Sequence, residues 1–353
     1  MEKKYLRMNK NEKKFNYGIA ILKSFLAFLV LIAHNFKPSS TKNKIILNFT
    51  INRRFHVPCF FIISFYLTYI SLLSRDKMKI INRFSRLLIP YITWPCIIWI
   101  INNVLNELFK NRSFYKLPDS FNVLKNQLLW GNTFMLQFWF QWEILFINLL
   151  FVIIIFIFQI HYLFVLQLLL ILCYYLQYSQ YYLIKNYFPY FPYYCRKNIL
   201  YTLTSIPYAV TGFTLGIFKI IDRLENIKMQ TLIISIIIYS LISTYKIFII
   251  IRGKGFQGIY LNIKSLCVFF IFSIFPSDKI KDKNLSKLLI ITTNYSAGVF
   301  YLHVSLHSYL CRFIKIIQNK TFTGTIITYL LCNFISHFGV LIFGKTKLKY
   351  LFC

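Results

Sequence analysis

The chain has 353 residues, of which 57% are hydrophobic and only 14% are charged, with a mean hydropathy of +0.56. Apolar residues on this scale, grouped in blocks near the length of a bilayer crossing, exclude an ordinary soluble domain and predict an all-α, polytopic membrane protein. The formal net charge of +31 would favour nucleic-acid binding in a soluble chain. Here the basic residues stand in short segments between apolar blocks, where they anchor helices, so no nucleic-acid partner is expected.

We predict about ten transmembrane spans, near 16–36, 55–74, 87–109, 134–158, 161–184, 199–218, 229–251, 256–276, 289–311 and 322–343. The fourth and fifth spans are separated only by a short connection at Gln159–His161. The predicted domains are a basic cytoplasmic segment 1–15, a single transmembrane domain 16–343 and a short basic tail 344–353. With both ends in the cytoplasm, basic residues are somewhat more numerous on the inner side.

Cysteines and the amino-terminal segment point to no special chemistry. The eight cysteines lie mostly within the apolar blocks without a CxxC spacing, so neither a disulfide framework nor a zinc site is expected. The basic start followed by an apolar run resembles a signal peptide. The run is too long for one and no small-residue cleavage site follows, so a retained first span is predicted.

The first apolar block, from Phe15 to Phe36, carries Lys23 and His34. Eleven residues make almost three helical turns, so these two side chains share a face and lie about 16 Å apart along the axis. A lysine at the centre of a lone span costs about 2.5–3.5 kcal/mol on insertion scales, so Lys23 should face a protein interior or a wet cavity. The alternative is a snorkelling lysine and an interfacial histidine without a chemical role.

Two arginines, Arg83 and Arg86, precede the apolar part of the third block and share a helix face because they are three residues apart. Two guanidiniums so placed suit the capture of phosphates. Taken by themselves, the two arginines are better explained by ordinary anchoring at the inner membrane surface. In the second block, Ser64 can hydrogen-bond to a neighbouring helix or to backbone within its own span. Gly212 and Gly216 in the sixth block predict close helix packing.

Glu143 is the only acid well inside a predicted span, which makes it a candidate functional residue. Its predicted partner is Lys23, because a buried carboxylate and a buried lysine each require a counter-charge. A purely structural ion pair would give the same pattern.

Two histidines of the ninth block, His303 and His307, are four residues apart and share a helix face. The predicted topology places them in the outer half of the membrane at the depth of His34, with His56 near the same layer. Two histidines without a nearby third ligand make a weak metal site, so no metal is expected.

The order of these motifs resembles the integral-membrane acyltransferase-3 proteins, which acylate sugars and other cell-envelope or secreted molecules. The likeness covers nearly the whole chain through LKSFLAFLVLIAH, VPCFFIISFYL, RFSRLLIPYITW, FWFQW and GVFYLH. The chain departs from the family pattern at Lys23, where arginine is commonest, at Ala20, where aspartate is frequent, and at Phe65, which replaces a glycine.

The resemblance implies an enzyme that moves an acyl group, with acetyl expected, from cytoplasmic acyl-CoA to a hydroxyl of a cell-envelope or extracellular glycan. It implies His34 as the general base, a histidine being matched to proton transfer near neutral pH. It implies Arg83 and Arg86 as ligands of the acyl-CoA phosphates, and Lys23 as the residue that guides the pantetheine arm or polarises the thioester. The residues expected to support the site are Glu143, Trp139, Ser64, Tyr301 and His303.

Two other classes of function fit an apolar chain with intramembrane charges. A transporter or flippase for a glycan or lipid-linked intermediate would also require charged and aromatic residues within the membrane. No repeat relates the two halves of the sequence, which favours the enzyme. A membrane sensor or structural subunit is a third reading, and no output domain supports it. In every case the expected location is the cell membrane, with lipids as neighbours.

Overall fold

The computed structural model describes residues 16–37, 55–73, 76–108, 121–131, 138–187, 193–252, 257–274, 291–311 and 321–352, with isolated positions at 43, 46, 289, 314, 317 and 319. Within these ranges every regular element is a helix, which confirms the all-α prediction. The predicted basic segment 1–15 lies outside the described residues.

The described α-helices are, in chain order, α1 Tyr17–Asn35, α2 His56–Leu73, α3 Lys77–Leu108, α4 Phe121–Trp130, α5 Trp139–Phe158, α6 Tyr162–Tyr187, α7 Tyr193–Ile217, α8 Ile220–Arg223, α9 Lys228–Arg252, α10 Gln257–Ser273, α11 Ser296–Leu310 and α12 Phe322–Phe343. Short 3-10 helices occupy Gln159–His161, Leu224–Ile227 and Lys347–Leu351. The first of these coincides with the break predicted between the fourth and fifth spans.

Four helical stretches in the described part of the chain are long and apolar enough to cross a membrane: Tyr17–Asn35, Lys77–Val104, Trp139–Leu176 and Phe322–Phe343. Shorter apolar helices occur at His56–Tyr69, Lys228–Ser243 and Ile259–Ser273. The structure therefore supports a membrane protein, but the predicted count of about ten spans is not confirmed.

Helix α1 is the most enclosed of these membrane-length stretches, with 56% of its apolar segment buried inside the protein. It begins at an Asn16 cap, whose side chain accepts a hydrogen bond from the Ile19 amide (2.9 Å) and donates one to the Ser273 carbonyl (3.1 Å). Gly18 lies so close to the Phe272 carbonyl that a Cβ there would overlap it. The start of α1 therefore meets the end of α10.

Helix α11 runs in the same direction as α1. Just before α11 begins, the Thr293 hydroxyl donates to the Ala20 carbonyl (2.9 Å), while at the other end of α1 the ring of His34 lies beside that of His303. The start of α1 thus meets the residues just before α11, and the end of α1 meets the middle of α11. The parallel arrangement brings His34, at the end of α1, to His303 in the middle of α11.

Helices α2 and α7 approach each other through glycine. A Cβ at Gly212 would overlap the Ile62 carbonyl oxygen, and one at Gly216 would overlap the ring of Tyr69. The prediction of close packing through these two small residues is confirmed.

The segment after α12 also belongs to the helix bundle. Leu351 and Phe352 are buried, and the Trp94 indole donates from Nε1 to the Leu351 carbonyl (3.0 Å). The described residues of the predicted tail 344–353 therefore return against α3 instead of extending away from the bundle.

Candidate active site

The imidazoles of His34 and His303 are neighbours, with ring centroids 5.3 Å apart. His34 stands in the last turn of α1 and is exposed, whereas His303 is completely buried in the middle of α11. The pair therefore joins one ring that a ligand can reach to one that is enclosed.

The hydrogen bonds of His303 fix its tautomer. Nδ1 lies 3.1 Å from the Val299 carbonyl oxygen, one helical turn earlier. A carbonyl oxygen only accepts, so Nδ1 carries the proton and, in the neutral ring, Nε2 is an acceptor. Nε2 is buried and makes no hydrogen bond to any residue that the structure describes. A buried acceptor without a donor is costly, and such atoms are commonly found at functional sites.

The surroundings of this pair are aromatic and histidine-rich. Phe300 contacts His303 at a centroid distance of 6.0 Å, and His307 lies buried one turn further along α11. His56, predicted near the same layer, is half-buried at the start of α2, and its proximity to the pair stays a prediction. No group of three potential metal ligands occurs among the described side chains. The arrangement is suited to moving a proton at His34.

The guanidinium of Arg83 points into the bundle. Nη2 donates to the Ser64 hydroxyl of α2 at 2.8 Å, so Ser64 does bond to a neighbouring helix as predicted. The Nε atom is buried and has no acceptor within the described ranges. Tyr301 of α11 lies within electrostatic range of the same guanidinium. Arg83 thus links α3 to α2 and retains an unused donor.

Arg86 has different surroundings from Arg83, although only three residues separate them. Its side chain is exposed, and its guanidinium carbon lies 5.4 Å from the ring centroid of Tyr350 in the segment after α12. Arg83 therefore faces the interior of the helix bundle, whereas Arg86 lies at its surface.

The predicted ion pair between Lys23 and Glu143 is wrong. Lys23 is half-buried in α1. Glu143 is completely buried in α5, and neither carboxylate oxygen has a hydrogen-bond partner among the described residues. The polar side chain that interacts with it is Thr202 of α7, whose hydroxyl donates instead to the Asn198 carbonyl (3.0 Å). The ion pair does not form because the face of α5 that carries Glu143 packs toward α7. The predicted depth of the two residues in the membrane does not reveal this orientation.

The remaining predicted side chains are packed in aromatic contacts. Trp139, at the start of α5, stacks on Tyr201 of α7 with centroids 4.2 Å apart. Tyr301 is buried, and its ring lies 5.7 Å from that of Phe138. Trp139 therefore holds α5 against α7, and Tyr301 holds α5 against α11.

Sequence reasoning gave no role to Lys264, which the structure buries almost completely in α10. Its ammonium lies 4.9 Å from the ring centroid of Tyr239 and 5.9 Å from that of Phe55. These distances are those of cation–π contacts. The available signal was a lysine inside an apolar block, the same signal that drew attention to Lys23.

The helical fold with membrane-length helices and the result of family comparison together define a membrane acyltransferase. A family model described as an acyltransferase domain matches residues 16–344, nearly the whole chain. The chain belongs to the acyltransferase-3 family. No curated protein and no solved structure matches it.

Proposed function

We propose that this protein transfers an acyl group, with acetyl expected, from cytoplasmic acyl-CoA to a hydroxyl of a cell-envelope or extracellular glycan. The observation that carries the proposal is the exposed His34 beside the buried His303 at one end of the bundle. Membership of the acyltransferase-3 family supports the reaction class. The acyl donor, the glycan acceptor and a ten-span topology with both ends in the cytoplasm are parts of the proposal.

The reaction moves one proton from the acceptor hydroxyl to the leaving thiol in two transfers, and His34 is the group that we assign to carry it. As the acceptor hydroxyl attacks the thioester carbonyl, the imidazole takes its proton. The carbon–sulfur bond then breaks, and the coenzyme thiol leaves with a proton returned from the imidazolium. A positioned base of this kind contributes about 10²–10⁴ in rate. His303 is a positioning residue for the His34 ring.

We assign acyl-CoA to the end of the site that carries Arg83 and Arg86, away from His34. Arg83 and Arg86 supply guanidiniums for the coenzyme phosphates, which a planar fork of donors binds well. Lys23 precedes His34 by eleven residues on α1, so it lies between the donor end and the acceptor end of that helix. It guides the pantetheine arm or polarises the thioester carbonyl. A donor entering from one end and an acceptor from the other meet at His34.

A transporter for a glycan or lipid-linked intermediate is the competing function. It would share the intramembrane charges, but it would not require a base beside the acceptor path. The two functions therefore differ in the fate of the acetyl group.

The deciding experiment incubates the purified protein in detergent with acetyl-labelled acetyl-CoA and envelope glycan. We expect label to move to the glycan with the native protein and not with His34→Ala, which should still bind coenzyme A. The matched control is His161→Ala, because His161 is also exposed but lies in the 3-10 turn between α5 and α6. Equal transfer by His34→Ala and His161→Ala would remove the assigned base. Retention of all label on coenzyme A by the native protein would favour the transporter.

A further inference from the structure

The segment after α12 is held in place by both polar and apolar contacts. Thr346 begins the last 3-10 helix, and its hydroxyl accepts a hydrogen bond from the Leu348 amide (3.2 Å). At the other end of this helix, the Leu351 carbonyl accepts the Trp94 indole donor at 3.0 Å. The 3-10 helix Lys347–Leu351 is therefore capped at its start and hydrogen-bonded to α3 at its end.

Two glycines make room for the next residue, Phe352. A Cβ at Gly339 of α12 would overlap the Phe352 ring, and a Cβ at Gly298 of α11 would lie 2.7 Å from the Phe352 carbonyl oxygen. The ring also stacks on Phe343, with centroids 6.0 Å apart, and meets Trp94 edge-on at 5.7 Å. Close packing of this kind specifies one position for the segment.

This position brings two cations to one aromatic ring, that of Tyr350. The Arg86 guanidinium carbon is 5.4 Å from the Tyr350 ring centroid, and the Lys349 ammonium is 5.7 Å from the same centroid. Lys349 and Tyr350 are half-buried, whereas Lys347, two residues earlier in the same 3-10 helix, is exposed. Two like charges at one ring repel each other, and an anion that contacts both removes that repulsion.

We propose that Arg86, Lys349 and the ring of Tyr350 form a binding site for a phosphate group. Arg86 supplies the planar donor fork, Lys349 supplies a flexible ammonium, and Tyr350 supplies the ring that both cations contact. If the ligand is the acyl donor, this inference rests on the proposed function and adds the segment after α12 to the coenzyme site. The phosphate of an anionic lipid carries the same chemistry and is the other source.

The test compares Lys349→Gln with Lys347→Gln in the full-length protein. Three ligands are measured: coenzyme A, S-acetylpantetheine, which has no phosphate, and nanodiscs of phosphatidylglycerol against phosphatidylcholine. If the phosphate belongs to the donor, Lys349→Gln should weaken coenzyme A binding about fivefold, the contribution of one lysine near an anionic surface. S-acetylpantetheine binding should be unchanged, and Lys347→Gln should match the native protein for all ligands.

The outcomes separate the site from the proposed function. A selective loss of phosphatidylglycerol binding in Lys349→Gln, with coenzyme A binding unchanged, would keep the phosphate site and assign it to lipid. If the native protein binds no coenzyme A, and Lys349→Gln weakens its binding of phosphatidylglycerol, the proposed acyl donor is wrong but the phosphate site stands. Equal binding of all three ligands by the two variants, with equal melting temperatures, would overturn the site.

Discussion

Arg83 of α3 and Ser64 of α2 are joined by a hydrogen bond of 2.8 Å from the guanidinium Nη2 to the serine hydroxyl. The contact aims a full positive charge into the helix bundle and leaves the buried Nε without an acceptor in the described part of the chain. Holding Arg83 in this way requires favourable interactions elsewhere, because an incompletely bonded cation is costly away from water. We attribute the retained donor to ligand binding.

The first prediction concerns this pair. Ser64→Ala should lower the free energy of unfolding by about 1.5–3 kcal/mol, the usual contribution of a hydrogen bond to a charged group. It should also weaken coenzyme A binding, because the guanidinium loses the contact that orients it. Thermal unfolding and coenzyme binding are the measurements, and Thr323→Ala, an exposed threonine of α12, is the control. Additive effects of Ser64→Ala and Arg83→Gln in a double-mutant cycle would show that the two do not act together.

The second prediction concerns Glu143. Because its buried carboxylate has no hydrogen bond to a described residue, Glu143→Gln should leave the melting temperature unchanged or raise it. A carboxylate in a good ion pair would give the opposite result, since removing one partner of a buried pair costs about 3–5 kcal/mol. Lys23→Met and Glu143→Gln should be additive within about 0.5 kcal/mol. A large coupling between them would restore the ion pair that the structure excludes.

The failure of that ion pair shows where sequence reasoning stops. Lys23 and His34 do lie in one helix, as their predicted shared face requires, and the histidines of two distant blocks, predicted at one depth, do meet at His34 and His303. These inferences depend on helix geometry and on depth, both of which the sequence encodes. Which neighbour a helix face meets depends on its rotation in the bundle. Glu143 therefore faces Thr202 of α7, a contact that no local pattern reveals.

The packing of the segment after α12 is a second feature that the sequence does not predict. The sequence predicts only a short basic tail at 344–353, and Lys345 and Lys347 in it are exposed. The burial of Leu351 and Phe352 depends on Trp94, Gly298 and Gly339, which belong to three different helices. Such a contact over long sequence separation leaves no periodic signal. By contrast, the break at Gln159–His161 and the glycine pair of α7 are local features, and both were predictable.

The third prediction tests the packing of the Phe352 ring against Gly339. Gly339→Ala adds a methyl group that would overlap the Phe352 ring, so it should lower stability by about 1–3 kcal/mol and release the segment after α12 to proteolysis. Phe352→Leu, which shortens the side chain, should partly rescue the Gly339→Ala protein. Melting temperature and the rate of tryptic cleavage at the lysines beyond residue 344 are the measurements. Equal instability with and without Phe352→Leu would show that the added methyl group acts elsewhere.

The last prediction distinguishes the two histidines of the candidate active site. His34 is exposed and is assigned the proton transfer, whereas His303 is buried and is assigned the orientation of the His34 ring. His303→Gln retains a polar group near the position of Nε2, and His303→Ala does not. Both variants should bind coenzyme A normally, but His303→Gln should retain more acyl transfer than His303→Ala, and the difference should appear in kcat rather than KM. His34→Gln should be inactive, because an amide cannot take the proton of the acceptor hydroxyl.

If His303→Ala is as inactive as His34→Gln and binds coenzyme A normally, both imidazoles take part in proton transfer. If His303→Ala transfers at the native rate, the unbonded Nε2 of His303 has no part in orienting His34.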